Sequence, residues 1–164
     1  MRALTFSALG LFLCSCSPPG SPPSTPAPTR LPSPTADVRV GAADAYLTAL
    51  TAYHAAIDPV QQSICATANT TPALKSCWSR KVAIQRTFAA AVATIVFPAD
   101  MGADITSFRY IEHRLELSMA GIAGSSDPAH DLSDLGVFSS ASVDFLQITS
   151  NLRQDLGILS SPLP

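Results

Sequence analysis

Residues 101–122, MGADITSFRYIEHRLELSMAGI, decide the fold class of this chain. Large apolar side chains recur there every three or four residues, at positions 101, 105, 108, 111, 115, 119 and 122. This spacing places them on one face of an α-helix and shows none of the alternation that is typical of a β-strand. We therefore predict a core-facing helix over about Ala99 to Ile122, which Gly121, Gly124 and the following polar turn bring to an end.

Three further segments carry the same helical spacing, with predicted bounds of about Asp37 to Ala66, Pro72 to Phe97, and Ser139 or Ser140 to Leu156. Pro59 interrupts the first of them. Because the apolar stripe keeps its register across this proline, we favour a kink over a break. Four amphipathic helices joined by mostly short connections predict an all-α fold, an antiparallel four-helix bundle with up-down-up-down topology.

The chain begins with a segment that is typical of export, MRALTFSALGLFLCSC. Arg2 is followed by an apolar run that is too short to span a bilayer, so we interpret residues 1–15 as a signal peptide. Its end resembles the lipobox of bacterial lipoproteins, with Leu13 at −3, Ser15 at −1 and Cys16 as the lipidated residue. This resemblance implies a lipid anchor on Cys16 and a position on the extracytoplasmic face of the cell membrane.

Residues 16–35 are rich in proline, serine and threonine and carry a single charge, Arg30. Such a segment cannot bury enough apolar surface to offset the entropy of ordering, so we predict a disordered tether and a helical domain over residues 36–164. The whole chain has 10 basic and 12 acidic residues. Without a concentrated basic patch, nucleic-acid binding is disfavoured, and the membrane is the partner that the lipobox indicates.

Two cysteines, Cys65 and Cys77, remain after the signal is removed and Cys16 is lipidated. An exported protein lies in an oxidising compartment, so parity and compartment predict a disulfide between them. Two free thiols in the core are the alternative. A metal pair fits less well, because eleven intervening residues match no short thiolate spacing.

The strongest cluster of ionisable residues lies on the third predicted helix, where Arg109, Glu112, His113 and Glu116 share one face. One interpretation is a ligand site in which Glu112 and His113, with His54 of the first helix, bind a small molecule or a metal ion. The other is a solvated face of intrahelical ion pairs. No Glu-x-x-His pair, haem motif or zinc helix occurs in or beside the cluster, so we predict no metal site, no cofactor and no catalytic residue.

Burial is harder to assign for the remaining large side chains. Val40 and Val143 fall on apolar stripes and are predicted to face inward. Four aromatic residues with polar tips are predicted at the margin of the bundle, where they either seal helix ends or line a partner groove: Tyr46, Tyr53, Trp78 and Tyr110.

Short features along the chain resemble small secreted or lipid-anchored helical proteins of high-GC Gram-positive bacteria. They are Tyr46-Leu47 in an alanine-rich first helix, a cysteine in the second helix, and Phe97-Pro98 followed by Asp104-Ile105. The resemblance implies the lipid anchor and the all-α fold. It brings no catalytic residues with it.

The sequence is compatible with three functions. The leading hypothesis is a lipid-anchored, non-enzymatic bundle that binds a protein or another component of the envelope. The second is a small-ligand or metal-binding sensor domain with its site near Glu112, His113 and His54. An enzyme is the third, and no nucleophile with a neighbouring base is recognisable in the sequence.

Overall fold

The computed structural model describes residues 34–158, and within them the predicted all-α fold is confirmed. Four α-helices follow one another in an antiparallel bundle, and no strand occurs in this part of the chain. Their bounds are α1 Pro34–Pro59, α2 Thr71–Ala93, α3 Gly102–Gly124 and α4 Leu132–Asp155. The predicted signal peptide, the predicted lipidation site at Cys16 and most of the predicted tether lie outside the described residues.

Pro59 does not break the first helix. Its backbone stays in the right-handed helical region, and the chain continues as a π-helix over Val60–Cys65. Proline has no N–H to donate to the carbonyl of Ala55, so the α-helical hydrogen bonding between residues four apart is interrupted there. A change to the π-helical pattern, between residues five apart, is therefore expected after Pro59. Ser63 Oγ donates a hydrogen bond to the Pro59 carbonyl, and Thr67 Oγ1 donates one of 2.8 Å to the Ser63 carbonyl.

The second and third helices start and end close to the predicted places. Thr70, one residue before the predicted cap, caps α2 by accepting a hydrogen bond from the Ala73 N–H. The helix ends four residues earlier than predicted, at Ala93, and a 3₁₀ turn at Ala99–Met101 leads into α3.

The fourth helix begins seven or eight residues earlier than predicted. Asp131 caps it by accepting a hydrogen bond from the Asp134 N–H, so the segment that was predicted as a loop is helical. At its other end, Gly157 has a φ of 77°, and the Ile158 N–H donates to the Arg153 carbonyl in a Schellman arrangement.

The predicted disulfide is present at the corner between the first two helical segments. Cys65 ends the π-helix and Cys77 lies in the second turn of α2, with their Cα atoms 5.1 Å apart. In the chain-entropy description, closing a loop of this length stabilises the fold by about 3 kcal/mol.

Four aromatic rings, one from each helix, meet at the centre of the bundle. Phe88 of α2 lies with its ring centroid 5.0 Å from Tyr53 of α1, 6.0 Å from Phe108 of α3 and 6.1 Å from Phe145 of α4. We call Tyr53, Phe88, Phe108 and Phe145 the ring cluster. Rings packed at such tilted angles contribute contact energy beyond the area they bury.

Three predictions of burial are wrong. Val40 and Val143 are 62% and 65% exposed, whereas Tyr46 is fully buried. On α1 the buried line runs through Ala42, Tyr46, Ala49 and Leu50. More alanines of α1 are exposed than buried, so the apolar pattern does not define which face is buried.

Gly121 allows α3 and α4 to approach each other closely. A Cβ atom at Gly121 would collide with the carboxylate of Asp134, in the first turn of α4, whereas a Cβ atom at Gly136 of α4 would meet no atom within 4 Å. We expect Gly136→Ala to raise the free energy of unfolding by about 0.5–1 kcal/mol through helix propensity. Gly121→Ala should lower it, because Asp134 must turn away from α3.

Urea unfolding of the two variants beside the unmodified protein measures this difference. An equal gain in stability from both substitutions would contradict the close approach at Gly121.

Candidate functional site

A groove of about 460 Å³ lies between α1 and α4 and reaches down to α2 and α3. Neighbouring helices pack along their lengths elsewhere in the bundle, but the backbones of α1 and α4 come within 8 Å of each other almost nowhere in residues 34–158. Tyr53 and Phe145 of the ring cluster, with centroids 6.4 Å apart, fill part of the space between the two helices. The groove is the remainder of that space.

The walls of the groove are mostly apolar, as in most sites for small ligands. Its apolar lining comes from α1, α3 and α4 and consists of Leu50, Tyr53, Ile57, Leu115, Met119, Phe138, Phe145 and Leu146. Six polar or charged side chains are central to its chemistry: His54, Asp58, Lys81, Gln85, Thr149 and Arg153.

Gln85 is the most deeply buried of these polar residues. It is 1% exposed, and its Nε2 makes no short hydrogen bond within residues 34–158. The amide acts on the Glu112 carboxylate, whose pKa it lowers by hydrogen bonding. Gln85 therefore contributes a buried amide to the floor of the groove and is not a free donor there.

Lys81 lies one helical turn before Gln85 on the same face of α2, and both side chains line the groove. Its Nζ is 4.6 Å from the centroid of the Trp78 ring, and no ion pair within residues 34–158 involves it. Partial burial lowers the pKa of Lys81. A nearby anion would stabilise the charged ammonium group.

The two ends of the groove differ in charge. Asp58 is exposed at the end near the disulfide, and it adds to the effect of burial in raising the pKa of Tyr53. Arg153 lies at the opposite end, near the C-terminus of α4. There, burial raises the pKa of Tyr46 and the Arg153 guanidinium lowers it in part.

Glu112 lies in a second, smaller groove, between α2 and α3, together with Arg109 and Phe108. The side chain is 7% exposed, and Oε1 has no hydrogen-bond partner within the described part of the chain. Its pKa is raised from the ordinary 4.5 to about 6, first by burial and then by the Glu116 carboxylate; His113 and the Gln85 amide act in the opposite direction. Gln85 therefore lies between the two grooves.

The three predicted ligand residues do not form one site. His54 lines the α1–α4 groove, Glu112 lies in the α2–α3 groove, and His113 is exposed. In residues 34–158 no group of three or more His, Cys, Asp or Glu side chains is arranged to hold a metal ion. Glu116 pairs with Arg86 of α2 at 2.7 Å, so this ion pair links two helices and is not the intrahelical contact that the solvated-face interpretation predicted.

Sequence reasoning missed Lys81, Gln85 and Arg153 as site residues. Gln85 lies in the core-facing line of α2, between Val82 and Phe88. A glutamine among apolar residues on the buried face of a helix is the sequence feature that could have indicated this site.

Comparison with protein-family models, curated proteins and solved structures finds no match for this chain. Within residues 34–158, none of the helices combines the length and the apolar character that a bilayer span requires. The function of this chain is therefore inferred from the two grooves and from the sequence.

The raised pKa of Glu112 predicts that the protein loses stability as the pH rises. Between about pH 4.5 and pH 6 the unfolded chain has released the Glu112 proton while the folded chain retains it. The free energy of unfolding should therefore fall across this window, by roughly 1–2 kcal/mol. Glu112→Gln removes the ionisation, so it should raise stability at pH 7.5 and have little effect at pH 4.

Urea unfolding at both pH values checks this prediction, and Glu116→Gln is the matched control. That variant loses the ion pair to Arg86 and should keep a pH-dependent step, shifted to lower pH because the Glu116 charge no longer raises the pKa of Glu112. If Glu112→Gln lowers stability at pH 7.5, the carboxylate is not the unfavourable group described here.

Proposed function

We propose that this protein is a non-enzymatic, lipid-anchored module on the extracytoplasmic face of the membrane, and that it binds a small amphipathic ligand in the α1–α4 groove. The observation that carries the proposal is the groove itself, whose walls are mostly apolar and carry a few polar side chains, among them Lys81. The apolar part of a ligand would cover Leu115, Met119 and their neighbours, and its polar part would lie near Lys81.

The groove favours the small-ligand function over the metal-binding form of the sensor hypothesis. Its lining contains one histidine and one carboxylate, His54 and Asp58, and no cysteine. Apolar walls with a few placed donors suit an organic molecule better than a divalent cation, for which oxygen, imidazole or thiolate ligands are needed.

A protein partner is a second candidate, supported by the outer surface of α4. Leu132, Val143 and Leu146 are all exposed there, and Leu146 also borders the groove. Apolar side chains that continue a groove onto the surface are typical of binding sites.

The anchor is supported by the signal sequence and its lipobox, in which Cys16 follows Leu13 and Ser15. Lipidated cysteines of this type carry more than one acyl chain, which is enough for stable membrane attachment. Cys16→Ala should move the protein from the membrane fraction to the soluble fraction when it is expressed in a bacterium that processes lipoproteins. If the variant remains in the membrane fraction after a carbonate wash, the anchor is not on Cys16.

The groove is tested with N-phenyl-1-naphthylamine, a neutral apolar probe whose fluorescence rises on leaving water. The mature chain should bind it saturably, with one site per molecule. Ser142 lines the groove, so Ser142→Trp should fill part of the groove and weaken probe binding at least tenfold. Ser139 is on the same helix but is exposed and does not line the groove, so Ser139→Trp should bind the probe like the unmodified protein.

Far-UV circular dichroism establishes that both variants are folded. Ser150→Trp, at an exposed position of the groove lining, repeats the test if Ser142→Trp does not fold. Unchanged probe binding in the folded groove variants, or no binding to the unmodified protein, would show that the groove is not the site.

A further inference from the structure

One line of residues along α4 is exposed over most of the length of the helix. It consists of Leu132, Gly136, Ser139, Val143, Leu146 and Ser150, and we call it the α4 stripe. Its large members are among the most exposed apolar side chains of residues 34–158, at 81% for Leu132, 65% for Val143 and 69% for Leu146. The core of the bundle therefore does not use this line.

The members of the α4 stripe follow one another in alternating steps of four and three residues. This repeat of 3.5 residues is the spacing at which two helices stay in contact along their lengths in a coiled coil. The buried residues of the same helix form a separate line, with Ala141, Phe145, Ile148 and Leu152 at its centre. Thus α4 has two faces with the spacing of a helix contact, and only one of them is used within residues 34–158.

The order of large and small residues in the α4 stripe is complementary to its own reverse. When a second copy of α4 runs antiparallel, with residue 139 of each copy opposite residue 143 of the other, every layer contains one large and one small residue. The layers are Leu132 with the partner's Ser150, Val143 with the partner's Ser139, and Leu146 with the partner's Gly136. Such layers have similar depths, so the two helices stay at a constant distance. Parallel pairing places each residue on its own copy, which crowds the leucine layers and leaves gaps at Gly136.

Gly136 supports this pairing independently of the spacing. A Cβ atom at this position would meet no atom within 4 Å, so nothing in the bundle requires a glycine there. Glycine in the interior of a helix destabilises it relative to alanine. In the antiparallel pair the side chain of the partner's Leu146 lies over Gly136 and uses the space that the missing side chain leaves.

The charges of α4 are also compatible with self-association. Between residues 132 and 150 the helix carries only Asp134 and Asp144. Both are directed to α3, where Asp144 forms an ion pair of 3.1 Å with Arg114. Two copies of the α4 stripe therefore meet without opposing like charges. Beyond Ser150 the line continues to Arg153, which the antiparallel arrangement brings toward the acidic start of the partner's α4 at Asp131.

We propose that the α4 stripe is a self-association surface, on which two copies of this chain form an antiparallel dimer with two-fold symmetry. The stripe is about 27 Å long at the rise of an α-helix. Because an interface of one helix face is small, we expect half of the protein to be dimeric at on the order of 100 μM and little of it at low micromolar concentration. Attachment of both copies to one membrane raises their effective concentration. The dimer does not depend on a ligand in the α1–α4 groove.

Sedimentation velocity of the mature chain, from micromolar to millimolar concentration, tests the dimer. We expect a reversible equilibrium between monomer and dimer, without larger species. Val143→Lys should weaken the dimer at least tenfold, because it brings two ammonium groups together near the two-fold axis. The control is Val40→Lys, the same change at a valine of α1 that is 62% exposed, and it should dimerise like the unmodified protein. Far-UV circular dichroism establishes that both variants are folded.

Cysteine cross-linking tests the direction of the two helices. Leu132→Cys and Ser150→Cys are prepared separately in mature chains that carry Cys16→Ser, so the remaining cysteines are those of the Cys65–Cys77 disulfide. In the antiparallel dimer the two copies of each new cysteine lie about 27 Å apart, at opposite ends of the stripe. Neither variant should therefore cross-link with itself on oxidation, whereas a mixture of the two should give a cross-linked heterodimer.

Each outcome decides one part of the proposal. A protein that stays monomeric throughout overturns it, and the α4 stripe then serves a different protein or another segment of this chain. A dimer that Val143→Lys does not weaken lies on another surface. Cross-linking of either cysteine variant with itself contradicts the antiparallel arrangement. None of these results affects the ligand groove, because Val143 does not line it and Val143→Lys should bind N-phenyl-1-naphthylamine like the unmodified protein.

Discussion

The ring cluster is the constraint on which the rest of this structure depends. Phe88 contacts a ring from each of the other three helices, and this central contact sets how closely the helices can approach. Between α3 and α4, Gly121 permits a close approach, because the Asp134 carboxylate occupies the space where a Cβ atom of residue 121 would lie. On the α1–α4 side, Tyr53 and Phe145 separate the two helices, and the groove lies beside them.

Several polar side-chain atoms are buried within the otherwise apolar core of the bundle. Gln85 Nε2, Glu112 Oε1 and the Tyr46 hydroxyl are buried and have no hydrogen-bond partner in residues 34–158. Each costs free energy that an apolar side chain of similar size would not cost. In the case of Gln85 and Glu112 part of the cost is offset, because the amide acts on the nearby carboxylate and lowers its pKa. Tyr46 is different: the charge of Arg153 lies near it, but nothing in the structure explains why a hydroxyl is placed there.

The helices could be predicted from the sequence because apolar spacing and caps are local properties of the chain. The stripe from Met101 to Ile122 is a clear example, and the cysteine pair followed from parity and compartment. The start of α4 was missed because the cap at Asp131 and the following glycine at 136 are equally typical of a loop. The site could not be predicted, because the groove arises from the separation of α1 and α4, which is a tertiary property, and Gln85 and Lys81 are ordinary residues until that separation is known.

The central claim is that the α1–α4 groove holds a ligand in the native protein. Native mass spectrometry of the protein extracted from the envelope of its own host, followed by denaturation of the same sample, tests it most directly. A lipid on Cys16 is covalent and contributes to both masses, as does the Cys65–Cys77 disulfide, so only a non-covalent ligand can separate them. The account predicts that the native mass exceeds the denatured mass by one bound amphiphile. Equal masses, in a protein that is still folded, would contradict it.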